Sequence, residues 1–136
     1  MNGNINGTTV IGATYNQETD EYVRPIYFSL VRSALMGQTT TYQALAIEYG
    51  LPTVGNQMAN TIAPILGQIF EWCKAKGLPY LTSIVVRKSG TEKGVPGQGF
   101  WVLHAAGVSA PIQGLQRRRQ VTAQLQQEVF DYYKGL

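Results

Sequence analysis

Arg117, Arg118 and Arg119 form the densest charge cluster of a chain of 136 residues. Arg87, Lys88 and Lys93 add further cations in a stretch punctuated by Gly90, Gly94 and Gly97. Such side chains suit phosphates: a guanidinium fork matches two anionic oxygens, and glycine lets backbone come close to a ligand. Adjacent positions on a helix are turned by ~100°, so at most two of the three arginines can grip one strand together. Asn56, Gln57 and Asn60 offer different chemistry, because an amide side chain can bond both N6 and N7 of adenine. Each group also has a plainer reading. The loop cations can keep a strand edge from aggregating. The arginines can pair with Glu128 or Asp131 of a neighbouring subunit, and the amides can be the wet face of an amphipathic helix.

The charge is unevenly placed. Eight of the eleven Lys and Arg residues lie between Lys74 and Arg119, with Glu92 the one acid among them, for a net +7 (8 − 1). The remainder carries 3 basic and 7 acidic residues, a net −4, which sums to the formal +3. Lys74 and Lys76 close a predicted helix, where they suit its negative end. The cationic surface is therefore built by the segment around 87–93 and by the arginine cluster. Polyanions are the first partners such a surface implies, DNA foremost, and an acidic protein is the alternative.

Catalytic constellations are sparse. His104 is the single histidine and Cys73 the single cysteine, which excludes an intrachain disulfide and a multi-cysteine zinc site. Cys73 falls on the apolar side of a helix and reads as buried and inert. Gly94, Gly97 and Gly99 lack the spacing of a dinucleotide or P-loop fingerprint, and the carboxylates are scattered. The expectation is a protein without catalytic residues, metal or cofactor. No apolar run follows Met1 and no 18-residue apolar stretch occurs, so a cytoplasmic protein without a membrane span is expected.

Periodicity defines the elements that carry these residues. Segment 1–21 reads as a flexible head with an edge strand over 8–15. Val23, Ile26, Tyr27, Leu30, Val31, Ala34 and Leu35 mark a helix from about 22 to Met36, with Pro25 tolerated near its start. Thr40 with Gln43 forms a capping box for a short helix ending at Gly50. Thr53 caps a long helix, Val54–Lys76, in which Pro64 should produce a kink or a break. Leu81–Lys88 and Phe100–Leu103 read as the two strands of a β-hairpin with a long glycine-rich tip. A last helix, about Leu115 to Lys134, has Val121, Leu125, Val129 and Tyr132 as its apolar stripe. Trp72, at the edge of the long helix's apolar arc, and Tyr133, off the last helix's stripe, are the aromatic candidates for a protein partner.

Helix, helix-turn-helix and hairpin in that order predict an α+β winged helix over 22–114, with a C-terminal helix, 115–136, packed on it. Thr41-Tyr42-Gln43-Ala44-Leu45-Ala46 followed by Gly50-Leu51-Pro52 resembles the opening of the winged helix in O6-alkylguanine-DNA alkyltransferases and alkyltransferase-like proteins. Leu81–Gly90 resembles the stretch that carries that family's Pro-Cys-His-Arg-Val motif, with Thr82 where the alkyl-accepting cysteine would stand and Ser83 and Ile84 in place of His and Arg. The resemblance covers about half the chain. It implies minor-groove DNA binding by the second helix of the motif, without alkyl transfer. The family also pushes an arginine from that helix into the base stack, whereas residues 54–73 here contain no Lys or Arg. The pairing of Gly77-Leu78-Pro79 with Pro96-Gly97-Gln98-Gly99-Phe100 resembles uncharacterised bacterial and phage proteins.

These readings converge on a non-catalytic DNA-binding protein. It would dock through the hairpin and the arginine cluster, with modest base reading by helix 54–63. The rival reading is a protein-interaction module, such as a phage- or prophage-type inhibitor of a host defence protein. The oligomeric state is left open, with a homodimer compatible.

Overall fold

The structure is a computed structural model and describes residues 21–136. The expected edge strand over 8–15 lies outside the described residues. Five helices and two very short strands follow in order. They are α1 (Val23–Leu35), β1 (Thr40–Thr41), α2 (Tyr42–Glu48), α3 (Gly55–Lys76), β2 (Val85–Val86), α4 (Gln98–Ala105) and α5 (Leu115–Lys134). A 3₁₀ turn, Leu81–Ile84, leads into β2. The domain is α+β and mostly helical. Among the described residues its sheet is one parallel pair, with Thr40 opposite Val85 and Thr41 opposite Val86. A parallel pair needs a long crossover, and here α2 and α3 supply it.

Three helices stop by the same device. Gly37, Gly50 and Gly77 adopt left-handed φ of 67°, 68° and 67°. In each case the next amide reaches back to close the final turn. Gln38 N–H donates to Ser33 O at 2.9 Å, Leu51 to Ala46 O at 2.8 Å, and Leu78 to Cys73 O at 2.9 Å. This pairing satisfies carbonyls that a helix end would otherwise leave open, and glycine meets no Cβ penalty in reaching it. The helix starts depart by a residue from expectation. Thr41, not Thr40, caps α2, accepting from Ala44 N–H at 3.1 Å. Val54 rather than Thr53 precedes α3, and no side chain caps that helix.

α3 runs unbroken through Pro64, which is exposed. The helix is buried on two sides. One side joins α1, α2, the 3₁₀ turn and the end of α5 in the main core, where Ile26, Leu30, Leu45, Ile65, Ile69 and Val129 are almost wholly buried. The other carries Phe70 into a second cluster with Val95, Phe100, Trp101, Val121 and Leu125. Burying each such aliphatic or aromatic side chain contributes about 1.5–3 kcal/mol.

The expected hairpin does not form among the described residues. Leu81–Ile84 is a fully buried 3₁₀ turn, and Phe100–Leu103 is helical, part of α4. A four-residue apolar run has no period of its own, and packing decides it. Phe100, Trp101 and His104 share one face as a helix, and that face fills the second cluster. A single fold-back remains from the hairpin: Arg87 N–H donates to Val95 O at 3.0 Å, and Gly94 N–H to Arg87 O at 2.9 Å. The chain between them, 88–93, is a closed loop. The C-terminal helix α5 packs along α1. Its stripe ends at Tyr133, which is buried, and Tyr132 is the exposed one of the pair.

Candidate nucleic-acid interface

The arginine cluster divides by position on α5. Arg119 donates from Nη1 to Lys93 O at 2.9 Å and from Nη2 to Thr91 O at 2.7 Å, so its fork holds the 88–93 loop. Arg118 donates from Nε to Ile112 O at 3.1 Å and from Nη1 to Gln98 Oε1 at 3.1 Å. It also lies over the Trp101 ring, 5.2 Å from the centroid, in cation–π geometry. Trp101 in turn donates from Nε1 to Pro96 O at 3.1 Å. Arg117 makes one long contact, 3.4 Å to Gln120 within its own helix, and is exposed. The guanidinium fork that suits a phosphate suits two loop carbonyls equally well, as at Arg119, and Arg118 is engaged by one carbonyl and one side-chain amide oxygen.

The 87–99 segment is fastened on its other side to the α2–α3 corner. Gly97 N–H donates to the Tyr42 hydroxyl at 2.6 Å. Burial pushes the Tyr42 phenol above its usual range, and the bond from Gly97 works against that rise. Lys88 Nζ donates to Gln43 Oε1 at 2.7 Å, and Gln43 Nε2 donates to Thr53 O at 3.3 Å. The capping-box role expected of Gln43 is thus replaced by a bridge. It carries a lysine ammonium from the loop to the turn that opens α3. Arg87 is half-buried, with Nε 3.8 Å from Glu92 Oε1. Lys93 is exposed at the loop tip.

Asn56, Gln57 and Asn60 are exposed on the first two turns of α3, as their positions predicted. No acid sits in the first turn of that helix. Asn60 and Arg87 also meet at a groove of about 770 Å³ between α3 and α4, with Gln98 on the same lining. Thr82 contributes to its lining from the 3₁₀ turn and is itself 4% exposed. The structure therefore brings together Asn60, Arg87 and Lys88 with the α2–α3 corner. Arg118 and Arg119 are set apart as fasteners. Tyr42, Gln43 and Gln98 join the site without a signal in the sequence beyond their polarity.

Of the two aromatic partner candidates, Tyr133 is buried and Trp72 is half-buried. Tyr133 is 3% exposed, because the apolar stripe of α5 advances by fours from Val121 through Leu125 and Val129. Burial pushes its phenol well above the usual range, with Tyr27 alongside. Trp72 is half-buried and meets Tyr27 edge-on, with ring centroids 5.0 Å apart. The apolar side chains that do face outward on α1 and α2 include Phe28, Leu35 and Ile47.

His104 is buried among Phe100, Trp101 and Tyr80, and burial lowers its basicity. Cys73 is fully buried and its thiol is pushed up by the same cause. Among the described residues no three His, Cys, Asp or Glu side chains gather where a metal ion could bind. No helix among them is long and apolar enough to cross a membrane. Fold and site together define a small, mostly helical α+β domain with a cationic loop fastened to a two-helix corner. Comparison with known protein families, with curated proteins and with solved structures finds no match to the chain.

Proposed function

We propose that the protein is a non-catalytic DNA-binding domain of the helix-turn-helix type, with α3 as the helix presented to the duplex. In this reading the closed 88–93 loop takes the place of a winged helix's hairpin. The observation that carries it is the chain Thr53–Gln43–Lys88. It holds an ammonium group beside the opening of a 22-residue helix that no side chain caps. An uncapped helix start adjoining a held cation attracts a phosphate. Asn56 and Gln57 follow at once on the exposed side. Lys93 and Arg117 extend the cationic surface away from the corner, and the engagement of Arg118 and Arg119 reduces their part in it. Backbone docking then dominates, with base reading secondary.

Fluorescence anisotropy of a labelled duplex at several salt concentrations tests this. Affinity should fall steeply as salt rises. Lys88→Ala and Arg117→Ala should each flatten the slope of log K against log salt by roughly 0.9, the loss of one phosphate contact. Absence of binding to duplex or single-stranded DNA at low salt ends the reading. The exposed Phe28 and Leu35, 57% and 56% accessible on α1, favour a second reading, a protein-interaction module, which then takes its place.

A further inference from the structure

We propose that the groove between α3 and α4 is a binding site for a small apolar monocarboxylate. Its volume, about 770 Å³, is that of a site for a molecule of drug-like size. Met58, Leu66, Phe70, Phe100 and Leu103 make the walls apolar, while Ala59, Ala63 and Gly99 leave the space open. A Cβ built on Gly99 meets nothing within 4 Å. An apolar body can therefore enter without displacing side chains.

Charge selects the other end of the ligand. Among the described residues Arg87 is the one charged side chain in the lining, and no carboxylate lines the groove. Its side chain is 41% exposed, so the guanidinium can meet a ligand, although Nε itself is buried without a hydrogen-bond partner among the described residues. Glu92, at 3.8 Å, is beyond hydrogen-bond distance and neutralises the guanidinium without saturating it. The Arg87–Glu92 pair is already near neutral, so a ligand with one negative charge is repelled less than one with two. A phosphate dianion at the same place would meet that carboxylate. Asn60 and Gln98 add amide groups at the lining for orientation.

The site shares Asn60, Arg87 and Gln98 with the candidate interface but does not depend on the DNA reading, and it is tested without DNA. Naphthoate, its neutral isostere naphthamide, and adenosine monophosphate are titrated into the ¹⁵N-labelled full chain, following the amides of Gly67, Gly97 and Gly99. Naphthoate should shift these amides saturably, and naphthamide should bind about tenfold more weakly, the loss of one charge-assisted contact. Arg87→Gln should erase that difference, Glu92→Gln should tighten naphthoate, and Gly99→Leu should block both compounds. Should Gly99→Leu fail to fold, the contrast between Arg87→Gln and Glu92→Gln still decides. Any one of three results overturns the proposal: no saturable shift up to about 1 mM naphthoate, equal binding of acid and amide, or preference for the nucleotide.

Discussion

Changing Arg119 to alanine should release the 88–93 loop and leave the α2–α3 corner intact. The guanidinium makes two bonds, at 2.9 Å to Lys93 O and 2.7 Å to Thr91 O. A hydrogen bond to a charged group is worth about 1.5–3 kcal/mol when sheltered, and Arg119 is exposed, so about 0.5–1 kcal/mol each is the better figure. The total loss should be about 1–2 kcal/mol, which for a chain of this size lowers Tm by roughly 3–8 °C. The loss is local as well as global, because the fold-back at Arg87 and Gly94 depends on where the loop sits. Amide exchange at Gly94 and Arg87 should accelerate about 5- to 30-fold. Arg119→Lys retains the charge but not the planar fork, so it should recover less than half of the loss. Arg117→Ala, with one long contact inside its own helix, should stay within about 0.5 kcal/mol of the parent. Urea denaturation and hydrogen exchange of the three variants settle the matter. Unchanged midpoints and unchanged exchange in Arg119→Ala would refute the clamp and return Arg119 to the list of free cations.

Burial holds the imidazole of His104 below its usual value of 6.5, so the unfolded chain binds a proton that the folded one refuses. Its contribution to stability is complete above that value and declines as pH falls through it. The urea midpoint should therefore drop between about pH 7.5 and about pH 5.5, and His104→Phe should reduce the drop. Gly77→Ala places a Cβ at φ 67° in open space, so strain alone acts. A loss of about 1 kcal/mol in the urea midpoint is expected, with no change in DNA affinity.

Several elements could be read directly because their causes are local. Glycine at 37, 50 and 77 is required by a left-handed backbone, and each stands where a helix ends. The apolar period of α1 and of one side of α3 reappears in the main core. The second cluster was not legible, because it depends on α4 lying across Phe70, a contact over about thirty residues that no local pattern announces. The same contact turned Phe100–Leu103 from an apparent strand into a helix. Tyr133 was misplaced for a related reason: near the end of a helix, Tyr132 and Tyr133 lie ~100° apart, and the packing partner selects between them.

The cationic residues show most clearly what sequence leaves undetermined. A guanidinium group recognises paired oxygens in a plane, and two neighbouring backbone carbonyls present that pattern as well as a phosphate does. The triple arginine therefore has two readings of equal chemical merit until the loop is placed against it. Once Lys93 O and Thr91 O are within 3 Å of Arg119, the ligand is the protein itself. Lys88 shows the converse. A single lysine in a glycine-rich loop carries little weight in sequence, yet Gln43 and Thr53 hold it at the start of α3. Holding a lysine reduces the side-chain entropy to be lost when a phosphate binds. One held ammonium at the helix start can thus matter more to docking than three adjacent arginines, two of which already hold the protein together.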